Sequence, residues 1–170
     1  MLTEFSVVLI QQAALTKEQV DRIIALKQQY WPYPLKSQRQ WMNDNLYENE
    51  YHLWIDNKDG EMAAYLNIIF TDVVFSGRTE NMAGIGNVCV SKKYARKGIG
   101  VLLMQIAGYY TKSLGKNGVL LCKNSLTAFY LKAGWKKYEG KVVFLGKEYG
   151  GAVMFNELPN EATVAIERNF

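Results

Sequence analysis

Apolar and polar positions along the chain follow two periods, and their order predicts the elements. Glu4–Ile10 is rich in β-branched and aromatic residues and reads as a first strand. Thr16-Lys-Glu-Gln19 follows, in which Thr16 is placed to cap a helix and Gln19 to reach back to the cap. Val20, Ile23, Ile24 and Tyr30 then recur near one helical face, and this helix is expected to end at Trp31 because Pro32 and Pro34 cannot continue it. A second, more polar helix is expected around Gln38–Tyr47. From Tyr51 the period changes: YHLWID, an Asn57–Gly60 turn ending in Asp-Gly, and EMAAYLNIIFT form a hairpin pattern. A polar loop with Gly77, Arg78 and Glu80 leads to a strand at Ala83–Val90. Ile99, Leu102, Leu103, Ile106 and Tyr110 then mark the buried face of a helix closed by Gly115 and Gly118. Val119–Cys122 reads as a short strand and Leu126–Ala133 as a short helix stopped by Gly134. Trp135–Leu145 with Gly150–Leu158 is expected to form a last antiparallel hairpin, and Pro159 to Phe170 a loosely held tail.

The order β-α-α-β-β-β-α-β-α-β-β describes a mixed α/β domain. Its 170 residues, 49 % of them hydrophobic, suffice for one globular domain, expected to span residues 1–158. A net charge of +4 is too mild, and the cations too scattered among acids, to call for nucleic acid as a partner. No apolar run approaches the roughly 18 residues of a membrane span, and the start of the chain reads as a strand rather than a signal peptide. Cys89 and Cys122 lie in short apolar runs and read as buried reduced thiols. A cytoplasmic protein with no membrane partner and no metal site is the expectation.

The stretch KKYARKGIGVLLM, Lys92 to Met104, places four cations and two glycines before an apolar helix. A helix start leaves about four backbone N–H groups without partners and carries roughly half a positive charge, which suits a phosphate. Gly98 and Gly100 would let such a ligand approach the backbone. The alternative is a helix start on a basic solvated face. Neither the nucleotide P-loop nor the dinucleotide glycine fingerprint is present, so a pyrophosphate here would belong to another carrier.

NVCVSKKYARKGIGVLLM, followed by NSLTAFYLKAGW, resembles the two signature motifs of the GNAT superfamily of acyl-CoA-dependent N-acetyltransferases. The resemblance implies a mixed, mostly antiparallel central sheet with a splayed strand pair and flanking helices. It implies acetyl-CoA as acyl donor, with Val88, Cys89 and Val90 beside the pantetheine arm. Ala95, Arg96, Lys97, Gly98, Ile99, Gly100 and Val101 would form the pyrophosphate loop. The family usually has Gln or Arg where Ala95 stands. Tyr130 matches the tyrosine that protonates the departing CoA thiolate in many members; the alternative is an aromatic core cluster of Phe129, Tyr130 and Trp135. Asn124 resembles the family's cofactor-binding asparagine but lies six residues before Tyr130 where seven is usual, so it either reaches CoA or caps the short helix with Ser125.

The acceptor ammonium must lose a proton, and many relatives use a Glu on the strand before the glycine turn; AGIGNVCV offers none. Glu61, Asp72 and Glu80 remain candidates, as does deprotonation through water, and His52, the single histidine, reads as a structural or surface residue. By family resemblance Trp31 and Tyr33, with Asp72, would line an acceptor pocket, against the alternative that these aromatics pack helices on the sheet. The run GWKKYEGKVVFLGKEYGGAVMF is similar to the aminoglycoside 2′-N-acetyltransferase branch. The partner implied is a small-molecule primary amine, with a peptide or protein amine, or an acyl-CoA-binding module without catalysis, as alternatives. The protein is expected as a monomer or homodimer.

Overall fold

The computed structural model describes residues 4–170. Strand β1 (Phe5–Gln11) leads through a short turn to helix α1 (Lys17–Lys27) and helix α2 (Leu35–Asn45). Strands β2 (Tyr51–Asn57), β3 (Met62–Phe75) and β4 (Arg78–Val90) follow, then helix α3 (Ile99–Ser113), strand β5 (Gly118–Cys122) and helix α4 (Thr127–Lys132). Five short strands complete the chain: β6 (Lys136–Lys137), β7 (Lys141–Phe144), β8 (Lys147–Glu148), β9 (Ala152–Phe155) and β10 (Thr163–Ile166). Hydrogen-bonded neighbours run β6-β9-β5-β4-β3-β10-β7-β8, with β2 on β3 and β1 on β2. The β4–β5 and β7–β10 ladders are parallel, and those of β1–β2, β2–β3, β3–β10, β5–β9, β6–β9 and β7–β8 antiparallel. This is the mixed, mostly antiparallel sheet with flanking helices that the sequence leads one to expect.

The described residues divide into two compact units, to which β3, β4 and α3 each contribute a part. The first holds the chain up to Ile69 with Asn87–Leu103. Here β1 pairs with β2, and β2 with the first part of β3 with a register shift between Ile55 and Asp56, and α1 buries Ile23 and Leu26 against Trp54, Met62, Tyr65 and Cys89. The capping box forms as the sequence indicates: Thr16 Oγ1 accepts from Gln19 N, and Gln19 Oε1 from Thr16 N at 2.9 Å. Helix α1 stops at Lys27, not Trp31. Gln29 and Tyr30 instead make tighter turn bonds to Leu26 and Lys27, which swings Tyr30 off the apolar stripe and leaves it exposed. Helix α2 starts at Leu35, directly after Pro34, and ends before Tyr47.

The second unit holds Phe70–Gly86 with Met104–Phe170. The segment read as a polar loop around Gly77 and Arg78 is a tight hairpin turn, with Gly77 at φ 87°, and strand structure extends through Phe75 and from Arg78. In α3 the buried positions are Ile99, Gly100 and Leu103 in the first unit and Met104, Ala107 and Thr111 in the second, while Leu102 is 40 % exposed. The expected last hairpin is split: β6 pairs with β9, while β7 turns back on β8 and lies beside β10. The tail is not loose, because β10 inserts between β3 and β7 and buries Val164 and Ile166 completely. The β4–β5 ladder contains Ala83↔Gly118 and Gly84↔Val119 and then stops, although both strands go on. Beyond that point β5 is paired on its other side only, with β9 as far as Cys122↔Ala152.

Candidate active site

In the first unit, β4 passes into α3 through a loop whose two halves differ. The front half is tied down. Ser91 N donates to Ala63 O at 2.8 Å, Lys92 N to Gln29 Oε1 at 2.9 Å, and Asn57 Nδ2 to Tyr94 Oη at 2.7 Å. Lys93 pairs with Glu61, which holds that carboxyl below its ordinary range and raises the lysine. The back half is open. Arg96 at φ 62° and Gly98 at φ 82° both adopt left-handed backbone, and Gly98 O accepts the first helical bond from Leu102 N. No described residue accepts from the N–H groups of Arg96, Gly98, Ile99, Gly100 or Val101, and Gly98 has no side chain with which to cap them. A Cβ built on Gly98 would meet nothing within 4 Å, so Gly98 itself faces open space. A left-handed turn feeding an uncapped helix start is an anion-binding concavity, and Lys92, Arg96 and Lys97 stand exposed around it. The residues therefore fit a pyrophosphate, although the N–H groups of Ala95 and Lys97 are turned inward, to Lys92 O and Tyr94 O.

Just upstream, Val88 and Val90 are half-buried and Cys89 is buried, its thiol pushed up to about 12 by burial although nearby Lys27 opposes this. The Val90 carbonyl accepts the Tyr30 hydroxyl at 2.6 Å, so the last turn of α1 is fastened to the end of β4. Trp31 and Tyr33 are 36 % and 63 % exposed, and the loop carrying them is held from below by the buried Gln38, whose Nε2 donates to both their carbonyls. They are not core packing. His52 is fully buried and structural: Nδ1 faces Tyr65 Oη at 2.8 Å and Nε2 faces Gln12 Oε1 at 2.6 Å. Burial first, and Lys27 second, push its imidazole down to about 4.

In the second unit, Tyr130 sits on α4, which Gly134 terminates at φ 87°. Its carbonyl receives both Ala133 N and Trp135 N, fixing the tyrosine's backbone, and Trp135 lies over Gly118 so closely that a Cβ there would stand 2.6 Å from the indole. The Tyr130 side chain is 6 % exposed and packs edge-on against Phe129. Its hydroxyl bonds to no described residue, and burial, with Cys122 second, raises its pKa well above the ordinary phenol. Asn124 donates to Gly150 O at 3.2 Å, and neither it nor Ser125 caps α4. The candidate carboxylates are engaged: Asp72 with Asn81, Glu80 with Arg78 and Asn117, and Glu61, in the first unit, with Lys93.

The sequence reading passed over Lys27, Asn67 and Asn87. Lys27 lies on the buried stripe four residues after Ile23, and Asn67 interrupts the apolar run YLNIIF; a polar residue at an inward position is the signal that marks both. Asn87 has φ 53°, and its Nδ2 donates to Asn67 Oδ1 at 2.6 Å.

The sequence matches the model of the acetyltransferase (GNAT) domain over residues 12–138. No curated protein matches it. Among solved structures, an acyl-CoA N-acyltransferase from Pseudomonas aeruginosa is 19 % identical with a TM-score of 0.66, the match covering 91 % of this chain and 100 % of that one. A GNAT-family N-acetyltransferase from Escherichia coli, solved in complex with CoA, is 16 % identical with a TM-score of 0.67, over 96 % of this chain and 89 % of that one. A GCN5-related N-acetyltransferase from Kribbella flavida is 22 % identical with a TM-score of 0.64, over 80 % of this chain; this chain spans only 35 % of that one. These likenesses are of fold, and the match to the domain model over most of the chain is of sequence: the chain belongs to the GNAT acetyltransferase family and is an acyl-CoA-dependent N-acyltransferase.

Proposed function

We propose that the protein transfers an acetyl group from acetyl-CoA to a primary amine of a small molecule by direct attack, with Tyr130 as general acid. The observation that carries this reading is the set of free amides from Gly98 to Val101 behind two left-handed residues. These amides hold the pyrophosphate, Arg96 and Lys97 add charge, and Val88, Cys89 and Val90 lie beside the pantetheine arm. Bound acetyl-CoA supplies the thioester. The acceptor nitrogen, once neutral, forms the C–N bond as the C–S bond breaks; Tyr130 gives its phenolic proton to the departing sulfur, the nitrogen sheds its extra proton to solvent, and solvent reprotonates the phenolate. A hydroxyl kept protonated by burial, with no internal partner to satisfy, is suited to that donation. Trp31 and Tyr33 present rings for the acceptor from a loop whose backbone is fixed.

Calorimetric titration with acetyl-CoA, followed by thiol-release assays on a panel of primary amines that includes aminoglycosides, tests the reading. One site per chain with micromolar affinity and release of CoA supports it. Binding without release from any amine leaves an acyl-CoA-binding module, and no binding at millimolar ligand overturns the proposal.

A further inference from the structure

The side of the first unit's sheet covered by α1 carries a positive charge that nothing balances. Lys27 is 5 % exposed, yet no carboxylate lies within ion-pair distance of it among the described residues; its ammonium instead sits over the Trp41 ring, 4.7 Å from the centroid. Burial pushes its ammonium down to about 8, and none of the titratable groups around it is ion-paired with it. Cys89 is held as a thiol and Tyr65 as a phenol by burial, the Tyr30 hydroxyl is spent on Val90 O, and His52 is neutral with both ring nitrogens engaged. Asp56, on the same strand as His52, is taken by Arg22 at 2.5 Å and by the Trp54 indole. Glu50 accepts from the Tyr47 amide.

A second, independent observation has the same sign. Asn67 stands opposite His52 in the β2–β3 ladder and is completely buried. Its Oδ1 accepts from Asn87, but its Nδ2 has no partner. A buried donor without an acceptor costs about 1–3 kcal/mol, and a buried ammonium without a counter-charge costs more. This face thus holds two buried donors, the Lys27 ammonium and Asn67 Nδ2, while its Asp56 carboxylate is paired with Arg22.

Its position matters. Lys27 is one turn before Tyr30 and two residues before Gln29, which fasten α1 to Val90 and Lys92 of the β4 end. We propose that the acceptor is an amine that also bears a carboxylate, and that Lys27 receives the carboxylate while the amine is presented to the thioester beside β4. The inference rests on the acetyl-transfer reading above and narrows its acceptor to amino acids or similar zwitterions, as against polycationic sugars, which a lone buried cation would repel.

The test compares wild type with Lys27→Met, which keeps the stem and removes the charge. Acceptors are α-, β- and γ-amino acids, each paired with its carboxamide, assayed by CoA release; each amino acid is also tested for raising the melting temperature of the CoA-loaded protein. The expected result is that the carboxylate-to-carboxamide ratio of kcat/KM falls about 10- to 100-fold in Lys27→Met, mainly through KM, as loss of one charge-assisted hydrogen bond implies. Comparing ratios between the two proteins cancels the difference in amine basicity. CoA affinity measured by calorimetry is expected to stay within about twofold of wild type, which shows that the variant is folded. Equal losses with both members of a pair, an unchanged ratio, or neither turnover nor stabilisation with any amino acid while acetyl-CoA still binds would each overturn the assignment of Lys27. Failure of wild type to bind acetyl-CoA would instead strike the underlying reading.

Discussion

Replacing Gly98 with alanine separates backbone strain from ligand approach, because the chain contains its own control. Gly98 and Gly77 have φ of 82° and 87°, and a Cβ at either would meet nothing within 4 Å. Both substitutions therefore carry the same cost, that of a side chain in left-handed backbone, about 1–2 kcal/mol. For a chain of this size that lowers the melting temperature by roughly 2–8 °C. Only the methyl at Gly98 would be added within the run of unpartnered amides that opens α3. If it displaces two of their charge-assisted hydrogen bonds to a pyrophosphate, each worth about 1.5–3 kcal/mol, the loss is about 3–6 kcal/mol, or two to four orders of magnitude in Kd. Thermal unfolding of the free proteins and calorimetric titration with CoA measure the two effects separately. The expected outcome is similar destabilisation in both variants and weakened CoA binding in Gly98→Ala alone. A Gly98→Ala protein that matches Gly77→Ala in stability and binds CoA within twofold of wild type would refute the assignment of this loop.

Tyr130→Phe is expected to lower kcat by about 10²-fold or more with little change in KM for acetyl-CoA, measured by CoA release. Because burial raises the Tyr130 pKa, its contribution to stability is complete below the ordinary phenol range and declines as pH rises through and beyond it, so denaturant titrations of Tyr130→Phe should lose less stability than wild type above about pH 10. Thr16→Ala breaks the capping box and should cost about 1 kcal/mol in urea unfolding without altering CoA affinity. His52, pushed down to about 4 from an unfolded value near 6.5, is neutral when folded, so the unfolded chain binds more protons between these values and stability should fall as pH drops through that window. The shift corresponds to a loss on the order of 3 kcal/mol, and His52→Gln should flatten the slope between pH 7 and 4 in urea titrations.

What could be read from the sequence, and what could not, divides along the range of the interactions. The Thr16–Gln19 box, the Asp-Gly turn at Gly60 and Gly98 before α3 are local signals, fixed by residues within four positions of one another, and each appears where the pattern places it, whereas Gly100 lies inside α3. The errors lie where distant pairing decides. Nothing in Thr163–Ile166 announces that it will run parallel to β7 and antiparallel to β3, and Gly146 and Leu145 break a run that the alternation alone would carry through. The end of α1 is the instructive case. Pro32 and Pro34 forbid a helix beyond Trp31 but do not dictate one up to it, and the bonds of Tyr30 to Val90 and of Gln29 to Lys92 belong to a strand end some sixty residues away. Those two contacts bring the last turn of α1 to the end of β4, and with it Lys27, which in sequence is an ordinary lysine at the end of a helix. Its importance comes from what surrounds it after folding, a neutral histidine, a neutral thiol and an asparagine with an unpartnered N–H, and none of these is visible from its neighbours in the chain. A helix C-terminus welcomes a lysine on its solvent face. On the buried face the same residue becomes a cation that no carboxylate pairs with and that rests on the Trp41 ring.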